Sequence, residues 1–368
     1  MNFANINRKT ISFFLSVLAS IFCLGGTLGC LPAYAAGENF LSSWNPTDNR
    51  QAIIDFVDKV ITDDVPVKDR IAVFDNDGTL WAERPHYFQE DFINTRLSEL
   101  PKSKVSKLLK MTQKEIGKTG GHPISEEGKA FFSEIPVVSG MTTGEYNSLA
   151  RSFLDTIHSD ITSTDEGGYE RFDTAYINLT YKPVIELVNY LKEKDFKVYI
   201  CSGGGIYFVR SFSDEAYGIP TEEVIGSAIT TRYDESNTTD GPGGSLVRQL
   251  GLAHYDDQEG KPVGIELFIG KRPLIAVGNS GGDFEMFKYT DAGVDNSLIV
   301  LINHDDCERE YKYNDVVGST HIENDEEVPD NESLDEAQNR DNWIVVSMQN
   351  DFNTIFESEP QRTTPMCN

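Results

Sequence analysis

Two carboxylates stand two residues apart directly after an apolar run: Ile71-Ala72-Val73-Phe74 leads into Asp75-Asn76-Asp77-Gly78-Thr79. Such a β-branched and aromatic run reads as a buried strand. A chain that turns at its end points Asp75 beyond the strand and brings Asp77 alongside. One carboxylate can then be the nucleophile and the other the acid and base. Phosphoryl transfer needs that division: an ionised carboxylate attacks phosphorus, and its neighbour protonates the leaving oxygen and later activates water. Gly78 frees the backbone for a tight turn, and the Thr79 hydroxyl can bond the carboxylates or cap the next segment. A bare Asp-x-Asp is also a common solvated turn, so the surroundings must decide.

The surroundings repeat the pattern. Val198-Tyr199-Ile200-Cys201 runs into Ser202-Gly203-Gly204-Gly205, and Leu274-Ile275-Ala276-Val277 into Gly278-Asn279-Ser280-Gly281-Gly282-Asp283; Leu298 to Ile302 is a further apolar run. Pro183 to Lys194 precedes the second run, with Val184, Leu187, Val188 and Leu191 at helical spacing and proline in the first turn. Strands alternating with helices predict an α/β, doubly wound, mostly parallel sheet. Ligands of such sheets sit outside the carboxyl ends of the strands, where these polar and Gly-rich residues collect.

Phe74-Asp75-Asn76-Asp77-Gly78-Thr79-Leu80 resembles the first motif of the haloacid dehalogenase (HAD) superfamily residue for residue. Ser202 resembles the second, whose hydroxyl binds the transferred phosphate, with Gly203 beside it. Lys261, seventeen residues before Gly278 at the start of a predicted helix, resembles the third, a lysine that offsets charge on nucleophile and phosphate. Lys271 competes for that role, although Lys271-Arg272-Pro273 reads as the loop feeding the next strand. Val277 to Asp283 resembles the fourth motif, whose acids hold Mg²⁺, with one departure: Asn279 stands where many relatives have Asp. A neutral amide oxygen can still bind a hard cation, and Asp283 keeps the second acidic position.

The resemblance covers roughly 70–81 and 182–304 and implies a Rossmann-like core with an inserted helical cap. It also implies Asp75 as nucleophile, Asp77 as acid and base, Thr79, Ser202, Gly203 and Lys261 around the phosphate, and Mg²⁺ held by Asp75, Asp77, Asn279 and Asp283. An acid at Asp77 favours phosphatase over dehalogenase chemistry, because an alkoxide leaving group needs a proton. The pattern of the fourth motif is most similar to the phosphoserine-phosphatase-like branch, without implying that substrate.

Residues 82–180 are too long for a simple crossover and carry helical patterns from Val105 to Ile116 and Thr143 to Ile157, so they are expected to form the helical cap between two core segments, 36–81 and 181–368. Arg232 to Ser245 reads as a long loop or hairpin, 323–340 as an acidic surface excursion, and Trp343-Ile344-Val345-Val346 as a returning strand. Trp81, Arg84, His86, Tyr87 and Phe88 follow the first motif and are placed either to meet a leaving group or to pack a hinge. Arg210 could meet phosphate or a surface acid. His304 with Asp305 and Asp306 offers a metal-like cluster or an ordinary loop.

Residues 1–35 order themselves as an export signal does: Arg8 and Lys9, an apolar stretch from Ile11 to Leu28, then Ala33-Tyr34-Ala35. The expectation is cleavage after Ala35 and a periplasmic or extracellular protein; a retained anchor or a lipidated Cys30 are the alternatives. Removing the segment takes two of the 32 Lys+Arg and none of the 59 Asp+Glu, leaving 30 − 59 = −29 formal charges. Nucleic acid and anionic membrane surfaces are therefore excluded as partners. Cys201, Cys307 and Cys367 would remain, without zinc spacing and with room for one disulfide. The oligomeric state has no signature. The function expected is an exported Mg²⁺-dependent phosphatase of a small phosphorylated metabolite; a phosphotransferase with the same intermediate, or a binding protein that lost turnover at Asn279, are the alternatives.

Overall fold

The computed structural model describes residues 40–117, 124–158, 172–292, 296–313, 320–323, 326–329 and 332–360. The expected export signal, Cys30 and Cys367 lie outside them. In chain order the elements are α1 (Asp48–Thr62), β1 (Ile71–Phe74), α2 (Phe88–Ser98), α3 (Lys102–Ile116), α4 (Glu126–Val138) and α5 (Thr143–Leu154). There follow α6 (Lys182–Glu193), β2 (Lys197–Gly205), α7 (Ile206–Arg210), α8 (Ser213–Tyr217), β3 (Val224–Asp234), β4 (Ser245–His254), α9 (Gly260–Phe268) and β5 (Ile275–Gly278). The chain continues with α10 (Phe284–Asp291), β6 (Leu298–Asn303), β7 (Thr320–Glu323), β8 (Glu326–Pro329), α11 (Glu332–Ala337), β9 (Trp343–Ser347) and α12 (Met348–Asp351).

Seven strands form one sheet in the order β4-β3-β2-β1-β5-β6-β9, with every pairing parallel except β3 with β4. The α/β class expected from the sequence is thus the class observed. Apolar runs are what such strands require, because both faces of the sheet are covered. Ala72 and Phe74 of β1 pack into one core with Val198, Ile200 and Val277, whereas Ile71 and Val73 pack into a second with Tyr199, Cys201 and Ala276. From β1 the chain builds outward through β2, β3 and β4, then returns to the other side of β1 with β5. That reversal makes β1 and its neighbours the crevice-forming strands.

The helices α2 to α5 are inserted between β1 and β2. Their starts follow local chemistry: Ser125 caps α4 by accepting from the Gly128 N–H, and Thr142 and Glu145 form a capping box on α5. A buried polar knot ties them to the sheet. The Glu134 carboxylate of α4 meets the Arg248 guanidinium of β4 and the Gln89 amide of α2, and accepts from the Tyr146 hydroxyl of α5 at 2.7 Å. The Arg248 guanidinium also lies 3.8 Å from the Tyr146 ring centroid.

Of the two forms expected for Arg232 to Ser245, the structure has the hairpin, with Asp234 opposite Ser245 in an antiparallel pair. The acidic stretch 323–340 holds a second hairpin of β7 and β8 and the helix α11, whose Leu334 and Ala337, three apart, pack beside Trp343. Beyond Ser202, β2 continues to Gly205, and helix α7 begins after it. Trp343–Ser347 returns as the edge strand β9, parallel to β6. Cys307 is in a disulfide, whereas Cys201 is free and buried.

Replacing Arg248 with Met leaves Glu134 as a buried acid without its cation, a change that costs about 3–5 kcal/mol. Urea unfolding should show a loss of that size for Arg248→Met, and a loss below about 1 kcal/mol would remove the knot as a stabilising feature.

Candidate active site

Asp75 leaves the end of β1 with its backbone N–H still donating to Val277 O of β5 at 2.9 Å. The carboxylate therefore inherits the position of the central strands. Lys261, from the first turn of α9, fills its three hydrogens: Nζ donates to Asp75 Oδ1 at 2.6 Å, to Asp283 Oδ1 at 2.6 Å and to Cys201 O at 3.0 Å. All three of these charged side chains are buried. Lys271 is remote from them, exposed and paired with Asp69 at 2.6 Å, so the choice between the two lysines falls on Lys261.

Asp283 is consumed by protein donors. Its Oδ1 takes Lys261, and its Oδ2 accepts from the Asn279 and Ser280 N–H groups at 3.0 and 3.1 Å. Asn279 instead turns its Oδ1 toward β1, where the Thr79 hydroxyl lies 3.3 Å from it and 3.5 Å from Asp75 Oδ2. These two oxygens share the Thr79 hydroxyl as a neighbour, whereas Asp283 meets Asp75 across the Lys261 ammonium.

Asp77 is held by neutral donors on both oxygens. Trp81 Nε1 donates to Oδ1 at 2.9 Å and Asn76 Nδ2 to Oδ2 at 3.0 Å, while the Tyr217 hydroxyl fixes the Asn76 amide at 3.1 Å. Trp81 is stacked 4.3 Å from Phe212 and edge-on to Phe88 at 4.7 Å. Of the aromatics after the first motif, Trp81 and Phe88 are therefore fully buried packing that aims Asp77. Arg210 meets neither phosphate-binding residues nor an acid; it donates to the Thr221 and Val224 carbonyls.

Ser202 sits at a register shift between β2 and β3, where Gly203 and Gly204 bulge out of the ladder. Its hydroxyl accepts from Gly204 N at 3.1 Å and donates to Glu127 Oε1 at 3.1 Å. Glu127 arrives from the first turn of α4. Its carboxylate lies so close over Gly203 that a Cβ there would stand 2.5 Å from Oε2. Nothing in the sequence around Ser125-Glu126-Glu127 marks this acid beyond the first turn of a helix, where carboxylates are ordinary.

His304 was a candidate for a metal cluster with Asp305 and Asp306, and the structure separates the three. His304 Nε2 lies 2.7 Å from Gly78 O and Nδ1 3.4 Å from Glu310, under a stacked Tyr313. Asp305 bonds Ser347 and Gln349, and Asp306 pairs with Arg309. Thus His304 anchors the turn after Asp77. Among the described residues no group of three His, Cys, Asp or Glu side chains is arranged to hold a metal.

Burial pushes the Asp75 carboxyl well above the usual carboxylate range, with the charge of Asp283 adding and Lys261 opposing. Burial likewise raises Asp77 to about 6, against the Asn76 and Trp81 donors and with help from Glu83. Glu127 is raised by burial and by the charges of Asp77 and Asp75. Lys261 keeps its proton well above the lysine range because Asp283 and Asp75 outweigh the opposing effect of its burial. One lysine does not balance these acids. The oxygen-only donors at Asp75, the Asp77 carbonyl and Asn279 suit a hard divalent cation such as Mg²⁺, whose charge would restore ionised Asp75.

The sequence matches no protein-family model and no curated protein. Solved structures of similar fold include a functionally unknown protein from Anaerococcus prevotii, 16% identical over 70% of this chain and 86% of that one, TM-score 0.45. A phosphoserine phosphohydrolase-like protein from Francisella tularensis is 18% identical over 64% and 88%, TM-score 0.37. Cytosolic 5′-nucleotidase IIIB bound to cytidine is 15% identical over 71% and 80%, TM-score 0.42. At these scores the likeness does not extend to activity, and the chemistry rests on the side chains above.

A carboxyl raised from 3.8 to about 6 in the fold binds a proton that the unfolded chain has already lost. Its stabilising contribution is full below pH 4 and lost as pH rises toward 6, by up to about 3 kcal/mol. Metal-free protein in chelator should therefore lose stability across that window in urea melts, and Asp77→Asn should flatten the slope. An equal slope in both proteins would refute the assignment.

Proposed function

We propose that this chain is an exported, Mg²⁺-dependent phosphatase that hydrolyses a small phosphomonoester through a phosphoryl group carried on Asp75. The observation that supports this most directly is the buried Asp75 carboxylate at the end of β1. One oxygen is held by Lys261 while the other lies 3.5 Å from the Thr79 hydroxyl, which the Asn279 amide oxygen also approaches, at 3.3 Å. A carboxylate so held is fixed at the strand end where an incoming phosphate would meet it.

The roles follow from placement. The Asp75 carboxylate attacks phosphorus, and the ester oxygen leaves with the proton of Asp77, whose raised affinity for a proton near pH 6 suits an acid. The Asp77 carboxylate then accepts a proton from the water that cleaves the acyl phosphate, releasing Asp75 and inorganic phosphate. The Ser202 hydroxyl, the Gly203 and Gly204 bulge and Lys261 surround the phosphoryl oxygens. Mg²⁺, held by Asp75, the Asp77 carbonyl and Asn279, would supply positive charge to the nucleophile and the transferring group. Asp283 then serves as the fixed partner of Lys261 instead of a ligand.

Glu127 occupies the side of Ser202 that a phosphate oxygen would take, so an incoming phosphomonoester must displace it. Displacing the Glu127 carboxylate would free the Ser202 hydroxyl to donate to that oxygen.

Phosphate release from an aryl phosphate should require Mg²⁺, stop with chelator, and fall on the order of 10³-fold or more in Asp75→Asn. A metal-independent rate, or one untouched by Asp75→Asn, would reject the reading. Glu127→Gln should bind orthophosphate several-fold more tightly by calorimetry, because a competing negative charge is gone; equal or weaker binding would show that Glu127 does not contest the phosphate position.

A further inference from the structure

Asn279 poses a charge problem for the cation site proposed above. A ligand that could carry a full negative charge is replaced by an amide, and Asp283 does not make up the loss, because both its oxygens are bound to protein donors. The missing charge stands one residue further out. Glu83, just past Trp81 and 5% exposed, places Oε1 3.4 Å from Asn279 Nδ2.

That contact fixes which way the amide faces. An ionised carboxylate can only accept, so the Asn279 nitrogen must face Glu83 and the oxygen must face away. On the far side Oδ1 lies 3.3 Å from the Thr79 hydroxyl, which is itself 3.5 Å from Asp75 Oδ2. The amide is thus polarised between an acid behind it and the cation position in front. An amide oxygen whose N–H₂ donates to a carboxylate is a more negative ligand than a free amide, as with second-layer acids behind metal-bound imidazoles.

Space for the pair exists because of Gly78. A Cβ at this residue would lie 2.1 Å from Asn279 Nδ2 and 2.9 Å from Glu83 Cδ, and its φ of +72° also favours glycine. The turn that carries the Asp77 carbonyl therefore also makes the slot in which Glu83 meets Asn279. Arg84 lies 3.8 Å from the same Glu83 oxygen, beyond hydrogen-bond reach, and rests over the Tyr313 ring at 4.4 Å. It tempers the charge of Glu83 without taking the position that the amide occupies.

We propose that Glu83 is a positioning residue that compensates for Asn279: it orients the amide oxygen toward the cation and supplies from behind the negative charge that the ligand lacks. The inference rests on the Mg²⁺-dependent reading of the site and adds to it a residue outside the four motifs. It makes a claim that a generally acidic pocket does not. The benefit of Glu83 depends on residue 279 being an amide, because an Asp at 279 would have no N–H₂ to offer and would meet Glu83 as a like charge.

Mg²⁺ titration calorimetry on the purified protein, with thermal melts in chelator to verify folding, tests this through Glu83→Gln, Asn279→Asp and the double variant. Glu83→Gln keeps an acceptor for the amide and removes the charge; Mg²⁺ affinity should fall about tenfold. In the Asn279→Asp background the same change should have no effect or should strengthen binding. Glu83→Asp, which keeps the charge but withdraws it from the amide, should weaken binding in the same direction and serves if Glu83→Gln does not fold. Unchanged affinity in Glu83→Gln, or equal weakening in both backgrounds, overturns the role of Glu83 while leaving the phosphatase reading intact. Failure of the parent protein to bind Mg²⁺ at millimolar concentration overturns the metal site and this inference together.

Discussion

The three hydrogen bonds of Lys261 organise the centre of this protein. One ammonium ties the end of β1, through Asp75, to the turn after β5, through Asp283, and to β2, through the Cys201 carbonyl. These strands are neighbours in the sheet, and the lysine holds together the loops that leave them. A buried cation with such partners is costly to desolvate and repaid only by close geometry. The arrangement accordingly tolerates little displacement of any strand end. It also leaves a deficit of positive charge, since Asp75, Asp77, Glu127 and Glu83 share the space around one lysine, with Arg84 at its border.

That deficit connects the acidity of the whole chain to its chemistry. A surface with a large net negative charge repels phosphorylated molecules at long range. For the phosphatase proposed above, attraction would have to arise within the pocket, from Lys261, from backbone and hydroxyl donors at Ser202 to Gly204, and from a cation. The network around Asp77 contributes in another way. Trp81 and Asn76 give neutral hydrogen bonds, which orient the carboxylate without fixing its charge, as the proposed acid and base would require.

The sheet and the residues at its strand ends were legible in the sequence for one reason: strands buried on both faces must be written as uninterrupted apolar runs. Lys261 could be preferred to Lys271 because Pro273 marks a loop, and the exposed Lys271–Asp69 pair agrees with that logic. The residues that escaped notice act through contacts between distant segments. Glu127 reaches Ser202 across 75 residues, and Glu83 reaches Asn279 across 196. In sequence Glu127 is a first-turn helix acid and Glu83 a carboxylate beside an arginine, both ordinary surface patterns. His304 was left between a metal-like cluster and a loop, because only the fold reveals that its ring lies 2.7 Å from the Gly78 carbonyl. The segment from Arg232 to Ser245 stayed open between loop and hairpin because Arg232, Asp234 and Ser245, which take part in its pairing, are polar residues.

Helix α4 is attached differently at its two ends. Its C-terminal half is pinned by the buried Glu134–Arg248 pair, whereas its N-terminal turn is held by hydroxyl contacts: the Ser125 cap donates to Asp257, and Glu127 accepts from the Ser202 hydroxyl. The helix is thus held by a buried ion pair at one end and by hydroxyl hydrogen bonds at the other. In the phosphatase proposed above, the hold of Glu127 on Ser202 would rest on contacts of the weaker kind, so that access to the pocket and the chemistry within it would depend on different parts of the chain.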